Sequence, residues 1–213
     1  MYKTISNKII RKFNIGYDPS DVIKDENEEL PIKDWIQKYR NIVPTKDIFW
    51  LLLRREFMSE KDLILFAVWC AREALKLVAN PDERSVEACN VAEKYANGEA
   101  TKKELDAAYI AADVVTDAAY DATRAAYYAD AANYVAYYAA LSVANAARAA
   151  ANSVLSAVNS VLSAVNADLA VANAASVVYF AALAASDTVS RADADAAADA
   201  TRSAQIDKLL TYF

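Results

Sequence analysis

Residues 59–108 read SEKDLILFAVWCAREALKLVANPDERSVEACNVAEKYANGEATKKELDAA, and this stretch decides the fold. At its centre stand nine consecutive apolar residues, Leu63–Ala71. A short apolar run fits a buried strand or a buried helix. Length and punctuation favour the helix. Ser59 stands ahead of Asp62 at the capping-box spacing. The pattern then continues past Arg72, Glu73 and Lys76 to Val78, beyond the length of an ordinary strand. A helix that is apolar on nearly every side must be surrounded by others. Glu60–Val78 is therefore expected to be the central helix of an all-α multi-helix bundle.

On the C-terminal side, Asn80-Pro81-Asp82-Glu83 offers a cap, a proline suited to the first helical position and two first-turn carboxylates. The next helix should run to about Ala96 and stop at Gly98. Thr101 and Glu104 form another capping box. On the N-terminal side, Thr45 is expected to cap a helix over Lys46–Met58, with Asp47 in its first turn. Pro31 opens a helix over Ile32–Arg40, with Ile32, Trp35, Ile36 and Tyr39 on one face. Ser6–Phe13 suits a short amphipathic helix, and Asn14–Leu30, which holds Gly16 and Pro19, reads as a surface loop. The chain thus divides into an N-terminal segment, residues 1–44, and an all-α domain, residues 45–213. That domain has a helical core (45–98) and an alanine-rich helical half (99–213).

Two glycines and four prolines in 213 residues, with much of the apolar content alanine, argue for helix nearly throughout. From Glu99 to Phe213 there is neither glycine nor proline. NSVLSAV at 152–158 recurs identically at 159–165, and Asn145, Asn152, Asn159, Asn166 and Asn173 share a heptad spacing. With Leu155 and Val158 at a and d, the seam continues through Leu162, Val165, Leu169 and Ala172, and the asparagines fall at e. Two architectures fit. One is a single long coiled-coil rod, which would also permit a homo-oligomer. The other is three or four helices of ordinary length. Between Ala131 and Ser186 only Arg148 and Asp168 are charged, so a lone helix would be poorly solvated. That, with the usual length of helices, favours the bundle.

The net charge of −6 is unevenly placed. Residues 1–98 carry 16 basic and 16 acidic side chains, whereas residues 99–213 carry 7 and 13. The whole excess lies in the C-terminal half, and no basic stripe suits nucleic acid. The absence of histidine excludes thiol–imidazole catalysis and histidine-dependent zinc sites. No run of 18 apolar residues occurs, so no membrane span is expected. The N-terminus alternates polar and apolar residues unlike a signal peptide, which makes the cytoplasm the expected compartment.

Three clusters bear on chemistry. Cys70 beside Arg72 has the composition of an activated nucleophile. No base accompanies it, and a small core residue next to a Glu73–Lys76 surface pair explains it better. Asp113, Asp117 and Asp121, four residues apart, share one helix face. They suit a divalent cation or a basic surface, but no second cluster supplies further ligands, so a solvated acidic face is the simpler expectation and neither metal nor cofactor is expected. Tyr109, Tyr120, Tyr127, Tyr128, Tyr134, Tyr137 and Tyr138 are dense enough for either an interface or an alanine–tyrosine core. Asp113, Asp117, Asp121, Tyr120, Tyr127 and Tyr128 are the candidate partner-binding residues. Trp69, Cys70, Arg72, Glu73, Asp82 and Arg84, around the end of the central helix and the turn beyond it, are candidate architectural residues. Charges there can bond to free helix-end groups and to one another.

FAVWCAREALKLV (66–78), NPDERS (80–85), AEKYANGEATKKELDAA (92–108) and the alanine-rich tail resemble immunity protein family five of bacterial polymorphic toxin systems, which has phage-associated relatives. The likeness is specific from about Asp47 to Ala112. It is loose over residues 1–44 and in the tail, where the asparagine heptads are this chain's own. The resemblance implies a non-catalytic protein, in a bacterium or the bacterial host of a phage, that binds and neutralises a toxin encoded beside it. The competing expectation is a structural or assembly protein, phage-encoded and built on the heptad half.

Overall fold

The computed structural model describes residues 1–13, 18–78, 80–129, 138, 141, 144–149, 151–152, 172–173, 176 and 191–213. Within them, seven α-helices carry the fold: α1 (Asn7–Ile10), α2 (Ile32–Tyr39), α3 (Thr45–Leu52), α4 (Glu60–Leu75), α5 (Glu83–Ala96), α6 (Lys102–Ala129) and α7 (Arg191–Leu209). Apart from one two-stranded ribbon, the described part is an all-α multi-helix bundle.

α4 lies at its centre. The Ser59 hydroxyl accepts the Asp62 N–H at 3.1 Å and donates to the Asp62 carboxylate at 2.6 Å, which fixes the helix start. Leu63, Phe66, Ala67, Cys70 and Ala71 are each 0% exposed. The helix stops at Leu75, short of the expected Val78. Leu77 and Val78 close tighter turns onto the carbonyls of Ala74 and Leu75. Leu77 is 47% exposed, so no burial draws a further α-turn inward.

Other boundaries shift for similarly local reasons. Asp82, not Asn80, caps α5, its side chain accepting the Arg84 N–H at 2.9 Å, and Pro81 is left outside the helix. Thr45 is the first residue of α3 rather than its cap, which is Pro44. α3 ends at Leu52 instead of Met58 because the chain then turns inward to bury Leu53, Phe57 and Met58. Arg54 covers that end, donating from Nε to the Trp50 carbonyl at 2.9 Å with its guanidinium 3.9 Å from the Trp50 ring centroid. Gly98 takes the left-handed conformation, φ +79°, that closes α5.

The N-terminal segment has the expected short helical turns at 7–13 and adds a two-stranded ribbon. β1 (Thr4–Ser6) pairs antiparallel with β2 (Glu29–Pro31), setting Ile5 opposite Leu30. Asn7 Nδ2 donates to the Ile23 carbonyl at 2.9 Å and ties down the connection between them. Ile5, Ile9, Ile10, Ile23, Trp35 and Ile36 join the same hydrophobic cluster as α4, so one core runs across residue 44.

The alanine-rich half does not form a single rod. Arg148 Nη1 donates to Tyr120 Oη at 2.9 Å. At 1.5 Å per residue one continuous helix would hold those residues about 40 Å apart. The chain therefore turns back between α6 and residues 144–152. α7 packs on α3 and α4. Gln205 Nε2 lies 3.9 Å from Cys70 Sγ, and Arg40, just past α2, reaches Asp207 and Ser203, each at 2.8 Å. The closing 3₁₀ turn, Leu210–Tyr212, sets the Tyr212 ring edge-on to Phe66. Of the expected heptad seam, Leu155 to Leu169 lie outside the described residues, and Ala172 is exposed rather than buried in a seam.

Candidate functional site

α6 begins with the expected capping box. Thr101 N–H donates to the Glu104 carboxylate at 2.7 Å, and Glu104 N–H to the Thr101 hydroxyl at 3.3 Å. Alanine and straight-chain residues then sustain 28 residues of helix. Leu105, Ala112, Val115, Thr116 and Thr123 are buried. Advancing about 100° per residue around the helix, Tyr109 and Tyr120 come next and are half-buried; Asp113 and Asp117 follow and are exposed. Ile110 and Val114 form the outer crest, 64% and 52% exposed.

Residues 144–152 complete a cleft of about 360 Å³ against this side of α6. Tyr109, Asp113, Asp117 and Tyr120 line one wall, with Thr116 at its buried edge; Arg148, Ala151 and Asn152 line the other. The Arg148 guanidinium lies 5.4 Å from the Tyr120 ring centroid while donating to its hydroxyl. Burial, then the nearby charges of Asp113 and Asp117, push the Tyr109 phenol above its ordinary value. Asn152 is 6% exposed, and its Nδ2 has no hydrogen-bond partner. Among the described residues, Asp113 and Asp117 take part in no hydrogen bond or ion pair. Two carboxylates and two phenol rings thus face a wall of donors in a space open to solvent.

Three of the six candidate partner-binding residues, Asp113, Asp117 and Tyr120, come together in this cleft. Asp121 is exposed one turn further along α6. Tyr127 and Tyr128 belong to the end of α6, and their side chains lie outside the described residues. Sequence reasoning did not assign Arg148, Asn152, Ile110 or Val114 to the site. Arg148 carried a signal, being the one cation between Ala131 and Ser186. Ile110 and Val114 are spaced four apart in phase with the aspartates, which marks them as outward-facing.

The six architectural candidates are spread over five local sets. Trp69 is half-buried and stacks on Phe66 with ring centroids 6.3 Å apart. Arg72 reaches across to Asn90 and Glu93 of α5. Glu73 pairs with Lys76 on the surface, and Arg84 returns to Asp82 at 2.8 Å. Cys70 is buried against Gln205, and desolvation pushes its thiol far above the ordinary range, so it stays protonated at neutral pH. Among the described residues no three acidic or thiol side chains converge as metal ligands, and no helix is long and apolar enough to cross a membrane.

No protein-family model, no curated protein and no solved structure matches the chain.

Proposed function

We propose that the chain is a non-catalytic protein-binding protein whose α6 face docks a basic protein partner. The observation that carries this is the pair Asp113 and Asp117 at the lip of a tyrosine-lined cleft, carboxylates without hydrogen-bond or ion-pair partners among the described residues. Beside them, Ile110 and Val114 leave large aliphatic side chains in water. Apolar anchors ringed by one sign of charge are suited to a partner of the opposite sign, which they steer and then hold. The resemblance to immunity protein family five gives that partner a class, a toxin neutralised by binding. Many proteins that act on nucleic acid are basic, which agrees with the charge of this face.

The test uses the full chain as bait in lysate of its native host, beside a bait with Asp113, Asp117 and Asp121 all changed to lysine. A basic protein held by the parent at low salt, released at high salt and absent from the reversed bait is the expected result. Equal capture by both baits overturns it. The repeat at 152–165 favours a second reading, self-association in an assembly. Recovery of the chain's own copies alone, by both baits, supports that reading instead.

A further inference from the structure

We propose that the cleft between α6 and residues 144–152 is a guanidinium pocket that receives one arginine side chain of the partner. This rests on the docking reading above and adds the chemistry of its central contact.

Charge sets the number of ligands. Asp113 and Asp117 bring two carboxylates to the cleft and Arg148 one cation. One negative charge is left over, and a single cationic side chain balances it. Space agrees, since about 360 Å³ lies near the lower end of small-ligand sites.

The walls select the shape of the cation. Asp113 and Asp117 stand one turn apart on one helix face, where neighbouring side chains lie roughly 5–6 Å from each other. A planar guanidinium has five donors in a fork and can meet both carboxylates, whereas an ammonium is a compact point charge. Tyr109 and Tyr120 flank the acids, and ring faces attract a guanidinium. The protein already displays this contact: Arg148 places its guanidinium 5.4 Å from the Tyr120 ring centroid and hydrogen-bonds the hydroxyl at 2.9 Å. The opposite wall adds an independent pointer. Asn152, 6% exposed, lines the cleft with Nδ2 unpartnered. A free anion fits less well, because anything reaching Arg148 would also face two aspartates.

The experiment titrates the full chain with N-acetyl-arginine methylamide and follows the Thr116 and Ala151 methyl and the Tyr109 and Tyr120 ring resonances by NMR. The lysine and citrulline counterparts serve as competitors in shape and charge. Citrulline keeps the outline of arginine and lacks its charge. The arginine compound should give saturable shifts confined to these residues, with a millimolar Kd. The lysine compound should bind about 3- to 10-fold more weakly, and citrulline should give no saturable shift. Asp113→Asn with Asp117→Asn should weaken arginine binding by at least about tenfold; circular dichroism checks that the exposed substitutions leave the helices intact. Equal binding of citrulline, shifts elsewhere than the cleft, or no shift up to about 50 mM, well above the expected Kd, overturns the pocket. If no shift occurs but lysate capture still depends on the α6 aspartates, the pocket fails and docking stands. If arginine enters the cleft while capture ignores those aspartates, docking fails and the pocket stands.

Discussion

The two halves of the molecule are built from different materials. Around α4 the buried core includes many large side chains, among them Leu52, Phe57, Leu63, Ile64 and Phe66. In the C-terminal half the buried side chains are mostly methyl groups, with Ala112, Ala144, Ala146, Ala149, Ala151, Ala194 and Ala198 buried. Large side chains stabilise through the apolar area they remove from water. Alanine contributes little area, loses no rotamer entropy and lets backbones approach closely. Charge divides the halves as well. In the first, Arg11 pairs with Asp18 and Glu26, Lys38 with Glu28, Arg72 with Glu93 and Arg84 with Asp82. On α6, Asp106 pairs with Lys102, yet Asp113 and Asp117, a few turns on, do not pair. One hydrophobic cluster nonetheless joins the two halves, taking in Leu105, Ile206 and Leu209 from the second.

The largest expected effect tests the first half. Phe66 is 0% exposed and touches Phe49, Trp69 and Tyr212. Phe66→Ala should cost roughly 3–5 kcal/mol in urea unfolding. Trp69→Ala should cost less, about 1–3 kcal/mol, because that ring is only half covered. Equal losses at the two positions would remove the distinction between the inner and outer faces of α4.

Next in size is the opposite substitution in the alanine half. Ala112 and Ala149 are 0% exposed. Enlarging either to leucine should destabilise by about 1–3 kcal/mol through overpacking. Unchanged or raised stability would mean the helices there are not in close contact.

Acid should loosen the N-terminal segment by a smaller amount. Asp18 is lowered to about 2 by the Ser20 N–H and the Arg11 guanidinium. Glu26 and Glu28 are also lowered, chiefly by Arg11 and Lys38 respectively. Carboxylates depressed in the folded state stabilise it fully above their unfolded values, near 4, and progressively less as pH falls through the folded ones. Thermal melts should therefore show this contribution fading between about pH 4 and pH 2. In Arg11→Ala that part of the slope should shrink, and an unaltered slope would exclude the Arg11 cluster as its source.

The smallest effect belongs to Arg84. Its ion pair with Asp82 leaves the two side chains 49% and 35% exposed. Arg84→Ala should lower the melting temperature only slightly. A large drop would show that the turn into α5 bears more of the fold than its exposure suggests.

The parts legible in the sequence were those written in local chemistry. Ser59 with Asp62, Thr101 with Glu104, and Gly98 each act within one turn of their own backbone. Their helix ends could be read without knowing the fold. The start of α5 was misplaced because Asn80 and Asp82 are both good caps, and Pro81 is tolerated before the cap as well as at the first helical position. Strands of three residues carry no usable period, so the β1–β2 pairing left no trace. The acidic row on α6 followed from its spacing of four. The cleft did not, because its second wall depends on a chain reversal that brings Arg148 back to Tyr120 across 28 positions. No local pattern records such a contact.

The most direct test separates folding from recognition in one protein. Asp113, Asp117 and Asp121 are replaced together by lysine, and the association rate with the captured partner is measured at low and high salt. Exposed positions on α6 should leave the melting temperature close to that of the parent. If α6 is the docking face, association at low salt should slow by about tenfold or more, and the salt dependence should flatten. Unchanged association kinetics in a triple variant with its fold intact would contradict the assignment of recognition to this half.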